Sequence, residues 1–306
     1  MKKTVKSVVA FVLVAASLFA LTSCAGNSGG TSPNATVTIG SKDFTESLIV
    51  SEVYALALSD NGFKVNRKFN IGSSVVHSAI TSGQIDLYPE YTGTGLLSIL
   101  KLPLITDPKK VYDTVKADYL KKFNLVWLNY SAANDSQGLV ITKAASDKYG
   151  IKTISDLQKN AGQIRFASQG EFDQRSDGIP ALTAAYGPFK FKSEQIYDNS
   201  LKYQILSSDK ADVAVAYTTE GQLADTSKYL VLEDDKHVWP PYNLAPVVRK
   251  QVLDKNPKIA TVLNKVSALI DTQTITKLNA KVDVDKQEYE DVAKQFYGTI
   301  RSKVKA

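Results

Sequence analysis

Cysteine, histidine and methionine are scarce in this chain of 306 residues. The single cysteine, Cys24, cannot form an intramolecular disulfide, and His77 and His237 are the only histidines. Zinc and copper sites built from protein ligands need more such side chains, so we expect neither a metal nor a cofactor. No Ser-His-Asp set stands in a nucleophile or base motif, which argues against enzymatic activity.

Charge of one sign is not abundant either. Lys and Arg number 37 against 31 Asp and Glu, a net charge of +6. The first 23 residues contain three of the lysines and no acid, so the remainder carries 34 − 31 = +3. A strongly basic face for nucleic acid is therefore not expected. The length indicates about two domains, each able to bury its own core.

The first 35 residues show the pattern of an exported, lipidated protein. Residues 1–23 join lysines to an apolar run at 8–21, which is typical of a secretory signal peptide and too short to predict a permanent membrane span. The sequence Leu-Thr-Ser before Cys24 resembles the bacterial lipobox, so we expect Cys24 to carry the lipid anchor. An ordinary cleaved signal with an incidental cysteine is the alternative. Residues 24–35, with the lipidated cysteine, form a flexible linker rich in Gly, Ser and Asn.

The rest of the chain alternates between strand-like and helix-like hydrophobic patterns. Strand, helix and strand are predicted at 37–39, 45–61 and 65–69, and the alternation starts again after residue 137. Further helices are predicted at 92–100 and 107–123, and helices fill most of 252–303. This order predicts an α/β protein with mostly parallel sheets and covering helices.

Two α/β units followed by a helical segment favour a lobe-insert-lobe arrangement. We expect residues 36–136 to form the first part of lobe I, residues 137–238 to form lobe II, and residues 239–306 to complete lobe I. The cleft between the lobes is then the expected ligand site.

Five stretches resemble the substrate-binding proteins of ABC importers for glycine betaine, choline and carnitine. They are GSKDFTE at 40–46, DLYPEYTGT at 86–94, RSDG at 175–178, AYTTEG at 216–221, and DDKH followed by PPYN at 234–243. The resemblance implies a type II periplasmic-binding-protein fold that closes over a quaternary ammonium solute. It also implies delivery to a membrane permease with its ATPase subunit, for osmoprotective uptake. The protein is then a lipid-anchored monomer on the extracytoplasmic face of a bacterial cell membrane.

The resemblance places Tyr91, Tyr217 and Tyr242 in an aromatic cage for the ammonium group. A trimethylammonium group has no N–H to donate, whereas each ring face attracts it by about 0.5–2 kcal/mol when water is excluded. Several converging rings can therefore hold it without a buried carboxylate.

The same resemblance places Lys42, Thr94 and Arg175 where a ligand carboxylate is held. Arg175 can grip a carboxylate with two parallel bonds, although it could instead pair with a neighbouring aspartate. Lys42 and Thr94 lie near predicted helix starts, where free N–H groups favour an anion.

Gln137 departs from the pattern, because many relatives have a cage tyrosine there. The pocket is then larger and more polar, accepts a different betaine, or recruits another aromatic side chain such as Tyr88 or Trp239. Gln137 could also form a hydrogen bond with a hydroxyl or carboxylate of the ligand.

Three alternative functions stay open from the sequence. The ligand could be a different betaine-like or zwitterionic metabolite, as Gln137 suggests. A secreted hydrolase of a choline-containing compound is a second reading, and a structural or adhesive lipoprotein is a third. Binding of one quaternary solute without turnover would separate the first from the others.

Overall fold

The computed structural model describes residues 35–305. The predicted signal peptide, Cys24 and nearly all of the linker lie outside the described residues. Within the described range, no helix combines the length and the apolar character that a membrane crossing requires.

Ten strands form two sheets in this part of the chain. Their bounds are β1 Thr36–Lys42, β2 Lys64–Ile71, β3 Leu87–Tyr91, β4 Leu125–Trp127, β5 Gln137–Thr142, β6 Arg165–Ser168, β7 Ser193–Ile196, β8 Val213–Tyr217, β9 Tyr229–Val231 and β10 Leu244–Arg249. One sheet has the order β2-β1-β3-β10-β4 and the other the order β7-β6-β8-β5-β9. We call the parts of the chain around these sheets lobe I and lobe II.

Helices cover both sheets. Their bounds are α1 Thr45–Asp60, α2 Val76–Thr81, α3 Thr92–Thr94, α4 Pro108–Phe123, α5 Lys143–Tyr149, α6 Ile154–Asn160, α7 Glu171–Gln174, α8 Ile179–Tyr186, α9 Lys202–Ser207, α10 Lys250–Lys255, α11 Lys258–Ser267, α12 Thr272–Asp283 and α13 Tyr289–Val304. A π-helical turn, Gly95–Ile99, follows α3. Helices α11, α12 and α13 pack against α1, so the C-terminal segment belongs to lobe I.

The expectation of mostly parallel sheets is wrong for one strand of each sheet. Strand β10 runs antiparallel to β3 and β4, and β5 runs antiparallel to β8 and β9. Strands β1, β3 and β8 end at the cleft, whereas β5 and β10 follow chain crossings and start there. A strand that enters a sheet at this edge must run opposite to the strands that end at it.

The two segments that cross between the lobes are paired with each other. Asn134 and Asn243 form an isolated antiparallel bridge. The Asp135 N–H donates to the Tyr242 carbonyl oxygen at 3.1 Å, and the Tyr242 N–H donates to Asn134 Oδ1 at 2.6 Å. The hinge between the lobes is therefore a hydrogen-bonded ribbon.

Candidate ligand-binding site

The predicted cage and carboxylate residues meet in one cavity at the cleft, which we call the cage cavity. Its lining residues are Lys42, Phe44, Ser73, Tyr91, Thr94, Asp135, Gln137, Arg175, Tyr217 and Tyr242. All seven residues that the sequence places in the site are among them. The cavity measures about 20 Å³, room for about one water molecule. A trimethylammonium group therefore requires the facing side chains to separate.

The strand ends explain why residues distant in the sequence meet. Lys42, Tyr91 and Tyr217 are the last residues of β1, β3 and β8, and Gln137 is the first residue of β5. Tyr242 lies two residues before β10. Ligands of open α/β sheets bind at the carboxyl ends of the strands, and this cavity lies at that position in both lobes.

Phe44 is an aromatic residue of the site that the sequence reasoning missed. Its ring centroid lies 6.0 Å from that of Tyr91 and 5.4 Å from that of Tyr217, with interplanar angles of 34° and 29°. Phe44 belongs to lobe I and Tyr217 to lobe II, so the stack joins the lobes. Its place directly before the first helical residue of α1, inside the GSKDFTE motif, was the available signal. Phe44 therefore adds an aromatic ring to a cavity in which residue 137 is Gln rather than the expected Tyr.

Tyr242 is held in a single position by three contacts. Its hydroxyl donates to Asp177 Oδ2 at 2.8 Å, and its main-chain N–H donates to Asn134. Its ring lies against the backbone of Gly93, where a Cβ atom would stand 2.7 Å from ring atoms. Burial raises the pKa of Tyr242, which keeps the hydroxyl protonated as a donor.

The Lys42 ammonium group is already paired inside the protein. Its Nζ donates to Glu90 Oε1 at 2.5 Å and lies 5.0 Å from the centroid of the Tyr91 ring. Glu90 also accepts from the Tyr91 N–H at 2.7 Å and from the Tyr88 hydroxyl at 2.9 Å. Tyr88 does not line the cage cavity; it holds Glu90 from behind. A ligand carboxylate at Lys42 has to share the ammonium group with Glu90.

Arg175 forms a bidentate ion pair with Asp177. Its Nε donates to Oδ1 at 2.8 Å and its Nη2 to Oδ2 at 2.7 Å. Burial alone lowers the pKa of Arg175, but the bonds with Asp177 outweigh it and raise the pKa above its ordinary value. Among the described residues nothing accepts from Nη1, which leaves one edge of the guanidinium for a ligand carboxylate.

Trp239 does not line the cage cavity. Its Nε1 donates to the main-chain oxygen of Asp177 at 2.7 Å. The side chain of Asp177 also accepts from the Ser98 hydroxyl of lobe I at 2.8 Å. Trp239 and Ser98 therefore fix the aspartate that orients Arg175.

Thr94 and Gln137 present polar groups to the cavity. Thr94 ends the short helix α3, and Gln137 pairs in register with Tyr217. Within residues 35–305 the carboxamide of Gln137 has no hydrogen-bond partner, and its Oε1 is fully buried. A buried acceptor without a donor costs free energy, so a ligand donor there would be favoured.

Two buried carboxyl groups complete the site. Glu46 accepts from the Tyr91 hydroxyl at 2.9 Å, the Thr219 hydroxyl at 2.6 Å and Asn279 Nδ2 at 3.0 Å. Asp135 accepts from the Thr219 N–H at 3.2 Å. Burial raises the pKa of both carboxyl groups. Because Thr219 belongs to lobe II and Glu46 to lobe I, these bonds hold the lobes together.

The charges of the site suit a zwitterion. The two cations, Lys42 and Arg175, are each balanced by a buried carboxylate, and aromatic rings supply the attraction for a ligand cation. No group of three or more His, Cys, Asp or Glu side chains in the described part of the chain could hold a metal ion.

Comparison with known proteins places this architecture in a family. The substrate binding domain of the ABC-type glycine betaine transport system matches residues 35–299. A carnitine transport binding protein of Listeria monocytogenes is 32% identical over 300 residues, which cover 97% of this chain and 96% of that protein.

Two further similarities support the assignment. An ergothioneine transport permease/ergothioneine binding protein of Helicobacter pylori is 34% identical over 260 residues, 84% of this chain but 46% of that protein, so this chain spans about half of its length. A crystal structure of a glycine betaine/carnitine/choline ABC transporter is 29% identical, has a TM-score of 0.69, and is matched over 87% of this chain and 99% of that one. The chain therefore belongs to the family of substrate-binding domains of ABC-type glycine betaine transport systems.

Proposed function

We propose that this protein captures a quaternary ammonium solute of the glycine betaine, carnitine or choline type outside the cytoplasm and delivers it to an ABC permease. The observation that carries the proposal is the convergence of four aromatic rings on one interlobe cavity that also contains the free edge of Arg175. Rings attract the ammonium group, and the guanidinium edge receives a carboxylate.

Closure of the lobes traps the solute. The hydroxyl of Thr219 in lobe II donates to Glu46 in lobe I, and Ser98 in lobe I donates to Asp177 in lobe II. The solute shifts the balance toward a closed arrangement in which the facing side chains stand further apart than here, because only on closure do rings from both lobes contact it. The permease then receives the closed form, and ATP hydrolysis by its partner subunit drives release.

The signal peptide and the lipobox-like sequence before Cys24 support export of the protein and its attachment to the membrane. Cys24 carries the lipid anchor after the signal peptide is cleaved, and the linker keeps a monomeric binding body near the membrane. No chemical step is assigned to the protein.

The test is calorimetric titration of the chain from residue 25 onward, whose described part is one compact unit. The solutes are glycine betaine, carnitine, choline, ergothioneine and proline. We expect saturable binding of at least one quaternary ammonium compound and none of proline. Tyr217→Ala and Tyr242→Ala should each weaken that binding at least tenfold, while Tyr149→Ala, which changes a tyrosine outside the cage cavity, should not. Unchanged affinity in both cage variants would refute the cage. Hydrolysis of choline esters by the purified protein would instead support the enzyme alternative.

A further inference from the structure

The end of lobe I opposite the cleft is where the chain enters the described structure. Strand β1 ends at the cage cavity with Lys42, so its first residue, Thr36, stands at the other end of the sheet. Lys64, the first residue of β2, pairs in register with Thr36. The linker that follows Cys24 therefore joins the folded body at this end rather than at the cleft.

Several other elements reach the same end of lobe I. Strand β10 ends there and β4 starts there, because Arg249 pairs with Leu125, and α4 stops directly before β4. Helix α13 ends beside the end of α1, since Arg301 Nη2 donates to Asp60 Oδ1 at 2.6 Å. Many of the residues at these ends are cationic, and we call the surface that they form the basic face. Its cations are Lys64, Lys121, Lys122, Arg249, Lys250, Lys255, Arg301, Lys303 and Lys305.

The acidic residues at this end do not neutralise the basic face. They are four aspartates, each paired with one cation: Asp60 with Arg301, Asp86 with Arg249, Asp118 with Lys122, and Asp254 with Lys250. The basic face therefore has a net charge of 9 − 4 = +5, whereas the whole chain after the signal peptide has +3. The remainder has 3 − 5 = −2. Within the described part of the chain, five exposed lysines of the basic face have no carboxylate partner: Lys64, Lys121, Lys255, Lys303 and Lys305.

The linker is short enough to hold this face close to a bilayer. Residues 25–35 are eleven residues between Cys24 and Thr36. A flexible chain of that length spans about 17–20 Å on average. A bilayer surface that contains anionic lipids attracts each nearby lysine, which raises partitioning to the surface about fivefold per lysine. Because a short tether gives an effective concentration of about millimolar, even a weak attraction brings the face into contact with the bilayer.

We propose that the basic face contacts the anionic lipid headgroups of the membrane that holds the anchor. The inference rests on the proposed function, and within it on lipid attachment at Cys24. The acyl anchor and the basic face are then two separate membrane contacts, and such a combination holds a protein at a bilayer more stably than one contact alone. The cleft lies at the opposite end of lobe I, so this contact leaves it open to solutes.

The experiment measures co-sedimentation of the chain from residue 25 onward, which has no lipid, with two kinds of vesicle. One kind is phosphatidylcholine alone, and the other contains about 30% phosphatidylglycerol, which supplies the negative surface potential. We expect binding to the anionic vesicles only, and its loss in about 1 M salt, where the Debye length falls to about 3 Å. Combining Lys64→Gln, Lys121→Gln and Lys255→Gln should weaken the binding at least tenfold.

The matched control combines Lys190→Gln, Lys192→Gln and Lys210→Gln, which removes the same charge from the far end of lobe II. These exposed lysines lie just before β7 and β8, so their loss should leave vesicle binding unchanged. Both triple variants should bind the solute like the wild type, which verifies that they fold. Equal losses in the two variants, or no binding of the wild type to anionic vesicles, would overturn the membrane contact. Absence of solute binding by the wild type would instead refute the proposed function, independently of the vesicle result.

Discussion

A methyl group at Gly93 should displace one ring of the cage. The Cβ of alanine there would stand 2.7 Å from three atoms of the Tyr242 ring, closer than real Cβ contacts occur. The ring cannot easily retreat, because its hydroxyl is bonded to Asp177 and its main-chain N–H to Asn134. We therefore predict that Gly93→Ala moves Tyr242 out of the cage cavity.

Two opposing effects set the size of the change in stability. Overpacking costs about 1–3 kcal/mol, while alanine gains about 1 kcal/mol over glycine in a helix such as α3. The free energy of unfolding should therefore fall by about 0–2 kcal/mol. Loss of one ring contact costs about 0.5–2 kcal/mol of binding, which is a dissociation constant about 2- to 30-fold higher. The two expected losses overlap in size, so folding and binding have to be measured separately.

Calorimetric titration and urea unfolding of the same samples measure both quantities. Gly138→Ala is the matched control, because it lies beside Gln137 and its new methyl group would find its nearest atom at 3.6 Å. That variant should bind like the wild type. If Gly93→Ala kept wild-type affinity for the best solute, the close packing of Gly93 on Tyr242 would have no role in binding.

Three further predictions concern closure and pH. Gly221→Ala would place a Cβ atom 2.3 Å from the Ala280 Cα across the cleft, which should prevent the lobes from closing. Small-angle scattering of this variant should therefore show no compaction when the solute is added. Compaction equal to that of the wild type would contradict this. Burial raises the pKa of the Asp135 carboxyl group, so the folded protein favours the protonated form. This contribution to the free energy of unfolding is fully present below the unfolded pKa of about 3.9, and it is lost as pH rises through the pKa of the folded protein. From about pH 4 upward, the melting temperature should therefore fall more steeply with rising pH in the wild type than in Asp135→Asn, and parallel curves would contradict this. Hydrogen bonds from Arg301 lower the pKa of Asp60 to about 2, so Asp60→Asn should lower the melting temperature at neutral pH and lose its effect as pH falls toward about 2. A constant difference across that range would exclude the ion pair as its cause.

Local sequence signals predicted many of the helices and strands. The helix expected at 107–123 is α4, Pro108–Phe123, because the Asp107 side chain accepts from the Lys110 N–H at its start and Asn124 ends it in the left-handed conformation. The helix expected at 92–100 is instead the short α3 and a π-helical turn. Helix α5 was missed, although Thr142 caps its start and Gly150 ends it with a φ of 67°.

Strand direction and the contacts between the lobes could not be predicted from the sequence. Whether β5 runs parallel or antiparallel depends on which edge of the sheet the chain enters, and hydrophobic spacing carries no such information. Motif residues could be placed at the site because they stand at strand ends. Phe44 and Asp135 were not predicted. The GSKDFTE motif places Phe44 near the site, but the stack of Phe44 on Tyr217 and the hydrogen bond from Thr219 to Asp135 depend on how the two lobes meet.

The two tryptophans of the chain differ in whether lobe motion changes their surroundings. Trp239 lies in the returning hinge segment and bonds to Asp177 of lobe II, whereas Trp127 is fully buried in the core of lobe I. Indole emission depends on the polarity and hydrogen bonding around the ring. Opening of the hinge should therefore change the emission of Trp239 and leave that of Trp127 constant. The protein thus contains an optical reporter of its own lobe motion together with an internal reference, and Trp127→Phe and Trp239→Phe would separate the two signals without any added label.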